Sequence, residues 1–218
     1  MVFLLPAIAG IAGGCLLIPI LGSPAAYDIK VPAEFELKQR SDKRIAVFVE
    51  STWSAASPSL NSELAAAIRA ELIKKASIQS DFLFVSGEAS PARAKSPIDF
   101  RLLSPSQIAR EGGAGTILYV RIEEFQMTQL HREGYFTGHL MTRSMIFDDG
   151  GTQLWPPESS GRLIRTRVEV NTKGSDATRM DLIDATTHCI SRYMYNCPKT
   201  NFNTKFEEID YTKEEYWD

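Results

Sequence analysis

The chain has 218 residues, 44% of them apolar and 23% charged, which are ordinary globular values, and it shows no internal repeat or heptad run. Its net charge of -3 gives no electrostatic reason to expect a nucleic-acid partner. Once an N-terminal leader is set aside, about 190 residues remain, enough for one domain with its own core.

The leader comes first in chain order. The first charged side chain is Asp28, and before it lies an apolar stretch at 2–12, then Gly13-Gly14-Cys15. An apolar core, small residues and then a cysteine is the layout of an exported segment. Three readings fit. In the first, the chain is cut before Cys15 and a lipid is attached there; the lack of Lys or Arg before the apolar core and the apolar Leu16-Leu17-Ile18 after it count against this. In the second, residues 2–21 stay as an uncleaved anchor near the ~20 residues a bilayer requires, although Pro6 and Pro19 make a poor helix. In the third, cleavage falls near Ala25 or Ala26. All three put the folded part outside the cytoplasm, in the cell envelope or periplasm.

Residues 28–43 carry Pro32 and charged side chains around a short Phe35/Leu37 alternation, as a tether does. Residues 44–50 (RIAVFVE) are apolar on both faces, which predicts a central strand covered on both sides. A helix over 58–76 follows, with Ser57 as N-cap, Pro58 at its first position and Leu60, Leu64, Ile68 and Leu72 as one buried stripe. Residues 82–85 predict a short strand. The Ser-, Ala- and Pro-rich stretch 86–103 reads as an exposed loop, long for a compact domain. Ser104 and Gln107 predict a capping box, and Gly112-Gly113 predict the end of that short helix. These glycines follow a helix and precede a strand, the reverse of a phosphate-binding loop.

Three alternating strands come next. Over 116–125, Leu118, Val120 and Ile122 share one face, and Tyr119, Arg121 and Glu123 the other. Strict alternation sends Glu123 and Glu124 to opposite faces. Over 135–147, Phe136, Leu140 and Ile146 point inward, and Thr137, His139 and Arg143 outward. The Asp148-Asp149-Gly150-Gly151 turn leads to a return strand stopped by Pro156-Pro157. Over 163–170, Ile164, Val168 and Val170 point inward, and Arg165, Arg167 and Glu169 outward. This predicts an antiparallel meander with one wet face. A last helix runs from Ser175 to about Tyr195, with Met180, Ile183, Thr187, Ile190 and Met194 as its packed stripe.

The element order β-α-β-α-β-β-β-α predicts an α/β (α+β) fold: a mixed sheet with an antiparallel meander and helices on one or both faces. The strings RIAVFVE, SPSQIAREGG, TILYVRIEE and DGGTQLW, in that order behind Cys15, resemble the small α/β domain of curli-secretion-type envelope lipoproteins and of the amino-terminal domain of the Tol-system translocation protein. The resemblance covers residues 44–195; the 86–103 loop and the acidic tail depart from it. It implies a non-enzymatic assembly, secretion or docking part of the envelope. The chain divides into a signal or anchor at 1–14, a tether at 15–43, one α/β domain at 44–198 and an acidic, aromatic tail at 199–218.

Catalytic patterns are scarce. His131, His139 and His188 have no Cys or carboxylate spacing that matches a zinc site, no serine lies in a G-x-S-x-G turn, and no cofactor or metal is implied. The wet face gathers Tyr119, Arg121, His139, Arg143, Arg165 and Arg167, a candidate docking face for an envelope partner. Cys15 is the lipidation site on the first reading. Cys189 and Cys197 are left as an even pair outside the cytoplasm, which invites a disulfide if the chain folds back after Tyr195. The alternative is an extracytoplasmic, hydrolase-like enzyme with its site near loop 86–103.

Overall fold

The computed structural model describes residues 29–40, 44–51, 58–85, 103–130, 134–168 and 174–202. Cys15, His131, most of the 86–103 loop, Ser57 and the tail beyond Phe202 lie outside them.

The fold is mixed α/β, as the element order predicts. Strand β2 (Ile45–Ser51) lies inside a six-stranded sheet, where Ile45 to Val49 are all buried. It runs parallel to β3 (Leu83–Val85) and to β4 (Thr116–Gln129). A parallel neighbour needs a long crossover, and helix α1 (Pro58–Lys75) supplies one between β2 and β3. Beyond β4 the sheet becomes antiparallel: β4 pairs with β5 (Phe136–Asp148), which pairs with β6 (Gln153–Trp155) at one end and β7 (Arg162–Val168) at the other.

The inner face carries the main core. Leu60, Leu64, Ile68 and Leu72 of α1 are at most 1% exposed and share one apolar cluster with Val47, Val49, Leu118, Val120, Ile122, Leu140, Ile164 and Val168. Helix α3 (Ser175–Ser191) joins them through Leu182, Ile183, Cys189 and Ile190. Its buried arc runs from Ala185 through Leu182 and Cys189 to Thr187, wider than one stripe because α3 packs on both the sheet and α1. Met180, in the second turn of α3, is 61% exposed, which corrects its place in the predicted stripe.

The outer face holds a second, smaller core under helix α2 (Pro105–Glu111). There Ile108, Ala109 and Ala114 meet Ala46, Phe48, Ile117, Tyr119 and Met145. The predicted capping box forms: the Gln107 amide donates to Ser104 Oγ and the Ser104 amide donates to Gln107 Oε1 at 2.7 Å. Gly113 takes φ +70° just past the helix, a conformation that suits glycine.

Two terminal segments pack onto this body. Residues 29–40, expected to belong to a tether, are instead fixed. Strand β1 (Lys30–Val31) pairs antiparallel with β8 (Cys197–Pro198), and Leu37 is fully buried. Glu34 accepts from Arg162 at 2.6 Å and from the Trp155 indole at 2.9 Å. The C-terminal end also passes residue 198: helix α4 (Lys199–Phe202) places the Phe202 ring 5.6 Å from Tyr193.

The chain does turn back after α3, through a 3₁₀ turn at Arg192–Met194 and an extended Tyr195. Cys189 and Cys197 are nonetheless thiols rather than a disulfide. Cys189 stays in the α3 core, while Cys197 is held in β8 with its Sγ 3.6 Å from the Pro198 carbonyl. Burial is the main reason its thiol ionises above the ordinary range.

A candidate docking face on the outer sheet

Cross-strand register builds this face row by row. Arg121 of β4 stands opposite Arg143 of β5, and Arg143 opposite Leu163 of β7. The next row is Glu124, Met141 and Arg165, and the third is Gln126, His139 and Arg167. All point away from Leu118, Leu140, Ile164 and Val168, which are at most 5% exposed on the other side. The sequence-predicted Arg121, His139, Arg143, Arg165 and Arg167 are thus brought together on one surface.

Like charges directly opposite each other in a sheet are destabilising, so Arg121 and Arg143 need a counter-ion. Glu123 supplies it. Arg143 donates to it twice, from Nε at 2.6 Å to Oε1 and from Nη2 at 3.2 Å to Oε2, and Arg121 Nη2 adds a third bond at 3.2 Å. The Arg143 hydrogen bond is the main force holding the Glu123 carboxyl below its ordinary pKa. Arg143 also reaches the Ser160 carbonyl at 3.0 Å. Gly161 sits so close that an added Cβ would fall 3.0 Å from Arg143 Cγ and 2.7 Å from Met145 Cγ. Only glycine lets that turn close over the arginine stem.

The register shifts between Ile122 and Glu124. This β-bulge corrects the expectation that Glu123 and Glu124 point to opposite faces. With one extra residue in β4, both stand on the outer face: Glu123 holds the arginines, and Glu124 lies 3.7 Å from His139 Nδ1. Past the bulge, an open trough of about 310 Å³ is lined by Gln126, Thr128, Thr137, Gly138, His139 and Arg167.

Tyr119 does not join this surface. It has the outward parity predicted for it, but α2 covers that end of the sheet. Tyr119 is 9% exposed, stacks 6.0 Å from Phe48 and donates its hydroxyl to Glu50. Burial, then the Glu50 contact, pushes its ionisation well above the ordinary range. The sequence held a signal for this cover: Ile117, Tyr119, Met145 and Phe147 are all apolar or aromatic at outward positions.

What this surface offers chemically is a set of guanidiniums, those of Arg121 and Arg143 held by Glu123, a group that matches carboxylates by bidentate hydrogen bonding. Among the described residues no group of three or more His, Cys, Asp or Glu could hold a metal ion, and no helix is long and apolar enough to cross a membrane. His188 lies elsewhere, on α3, with its Nε2 2.6 Å from the Asn201 carbonyl. Asp148 serves its turn, accepting from the Thr152 amide at 2.7 Å.

No protein-family model and no curated protein sequence matches the chain. Solved structures do. Lipoprotein GNA1162 from Neisseria meningitidis aligns at 16% identity, over 68% of this chain and 97% of its own, with a TM-score of 0.41. The hypothetical protein CT253 from Chlamydia trachomatis aligns at 13% identity over 70% and 98%, with a TM-score of 0.39. PelC from Paraburkholderia phytofirmans, a dodecamer in its crystals, aligns at 12% identity over 75% and 92%, with a TM-score of 0.42. These are likenesses of shape alone and assign this chain no activity.

Proposed function

We propose that this protein is a non-enzymatic, membrane-anchored component of the cell envelope, held by a lipid on Cys15, and that its arginine face docks an acidic segment of a protein partner. One observation carries the docking role. The outer side of one continuous sheet has a helix and an apolar core over one end, while the other end presents Arg121, Arg143, Arg165 and Arg167 in register. Holding those arginines there stabilises the fold little, because partly exposed ion pairs contribute only ~0–1 kcal/mol each. The anchor rests on Gly13-Gly14-Cys15 after an uncharged, apolar stretch.

Two measurements test this reading. The Cys15→Ser variant is expected to leave the membrane fraction; if it stays membrane-bound and keeps residues 1–14, the lipid anchor is wrong. For the face, Arg165→Glu with Arg167→Glu is expected to keep its Tm within a few degrees and to lose capture of the partner from detergent-solubilised envelope. Capture by wild type is expected to weaken as salt rises, and Arg165→Lys with Arg167→Lys to retain part of it. A folded double Glu variant that still captures the same partner moves the docking surface elsewhere.

A further inference from the structure

We propose that residues 29–37 and residues 197–202 are the two halves of one latch, so that displacing either segment frees the other while the rest of the domain stays folded. This device goes beyond the docking role and uses nothing of the arginine face.

Backbone pairing is the first reason. Among the described residues β1 and β8 form a two-stranded sheet of their own, apart from the six-stranded one, and pair only with each other. Lys30 stands opposite Pro198 and Val31 opposite Cys197. A two-stranded pair is marginal in water even as a hairpin, and here no turn joins the partners. The Ala33 amide donates to the Asn196 side chain at 3.0 Å across 163 residues of sequence. Around the pair, the Lys199 amide donates to the Ile29 carbonyl at 2.8 Å and the Phe35 amide to the Tyr193 carbonyl at 3.1 Å. Helix α4 begins directly after β8 and spans four residues. A helix that short has no stability of its own, so α4 keeps its place through β8 and through Phe202.

Side-chain stacking is the second. Trp155, Arg162, Tyr193, Arg192 and Phe202 form a row in which rings and cations alternate. The Arg162 guanidinium lies 5.8 Å from the Trp155 ring and 5.2 Å from the Tyr193 ring, and that of Arg192 lies 5.0 Å from Tyr193 and 4.6 Å from Phe202. A cation feels a ring face only within ~6 Å, so each member depends on its neighbour. Trp155 and Tyr193, inside the row, belong to the main core. Its two ends are fastened by the two segments. At one end Glu34 accepts from Arg162 and from the Trp155 indole. At the other, Arg192 donates to the Phe202 carbonyl while covering the Phe202 ring.

Both segments are thus held to one core row, and each is also the backbone partner of the other. If β1 leaves, β8 loses its strand partner and the Lys199 amide its acceptor. If α4 leaves, the Ile29 carbonyl loses its donor and β8 frays from β1. In a chain held at Cys15, as proposed above, a pull on residues 29–37 would therefore be felt at α4.

The test uses the full chain in detergent and limited trypsin digestion, with the cuts after Lys30 and after Lys199 followed separately by mass spectrometry. Where opening is fast relative to cleavage, each rate reports the population of the open form. Glu34→Gln loosens the first segment and Phe202→Leu the second. Each is expected to speed both cuts severalfold and by the same factor, because one opening exposes both bonds. Cutting after Arg110, in α2, is expected to keep its wild-type rate. A variant that speeds only the cut on its own segment overturns the latch. So does a rise at Arg110 in step with the other two, which means that the whole domain has opened. Hydrogen exchange on the wild type gives a second reading that needs no variant. The Phe35 and Lys199 amides are expected to share one protection factor, lower than those of β4. Protection that differs by about tenfold or more between the two shows independent segments and overturns the proposal. Neither readout depends on Cys15, so a failed anchor leaves the latch standing.

Discussion

Glu123 decides whether the arginine face is tolerable. Register forces Arg121 against Arg143, and three hydrogen bonds to one carboxylate turn a repulsion into a cluster. Removing the charge in Glu123→Gln leaves the two cations facing each other and is expected to cost about 1 kcal/mol, discounted for solvent screening. The effect has a pH signature. The folded carboxyl ionises below its ordinary value of 4.5, so its contribution is complete above that value and lost as pH falls through the lower, folded one. Wild type is therefore expected to lose this increment of Tm in that acid window, and the Gln variant to show a flatter curve there. Parallel curves would remove Glu123 from the account. None of this was legible in the sequence. Alternation sends neighbouring residues to opposite faces, and a bulge of one residue leaves no compositional mark. The arginines themselves were legible, since nothing interrupts the period between Leu163 and Val168.

At the scale of elements, turn and cap chemistry was the most legible part. Ser104→Ala removes a bond that the short α2 has no other means to replace, and is expected to lower stability by about 1 kcal/mol. For a domain of this size that is about 2–4 °C in Tm. An unchanged Tm would mean that packing, not the cap, holds α2 on its core. The seam between α3 and the sheet was less legible. Thr142, Ser144 and Thr166 on the inner face, and Thr186, Thr187 and Ser191 on α3, are buried, and their hydroxyls have no hydrogen-bond partner among the described residues. Sequence patterning placed Thr187 in the packed stripe, gave the other five no inward place, and missed Leu182 and Cys189 beside them. An unpaired buried hydroxyl costs about 1–3 kcal/mol relative to a paired one. Thr142→Val and Thr166→Val, which keep shape and remove that cost, are each expected to raise Tm by a few degrees. A fall would show that these hydroxyls are bonded in solution.

At the scale of the molecule, the largest departure from the sequence reading is how much chain the domain holds. A stretch such as 29–40, with Pro32 and scattered charges, has the composition of a spacer, and its partners lie more than a hundred residues away in sequence. No local pattern could show that Glu34 meets Arg162 and Trp155, or that Phe35 donates its amide to the Tyr193 carbonyl at 3.1 Å. The consequence is one of reach. With Cys15 as the proposed anchor, only residues 16–28 are available as spacer, at most ~45 Å of extended chain. A spacer running to residue 43 would have allowed about twice that. On that proposal the domain would be kept near the membrane, and the clamp at 29–40 would bear any load between anchor and domain. Limited trypsin digestion checks this. Cutting at Lys30 requires β1 to leave β8, so wild type is expected to resist there. Leu37→Ala removes a fully buried side chain at a cost of about 2–5 kcal/mol. Adding Glu34→Ala breaks the Arg162 and Trp155 bonds as well. The double variant is expected to be cut at Lys30, Lys38 and Arg40 while the fragment from residue 44 onward survives. If wild type is cut at Lys30 as fast as the double variant, the segment is a spacer after all. If the variant's whole domain is degraded instead, the clamp is part of the folding unit and not a strap laid over it.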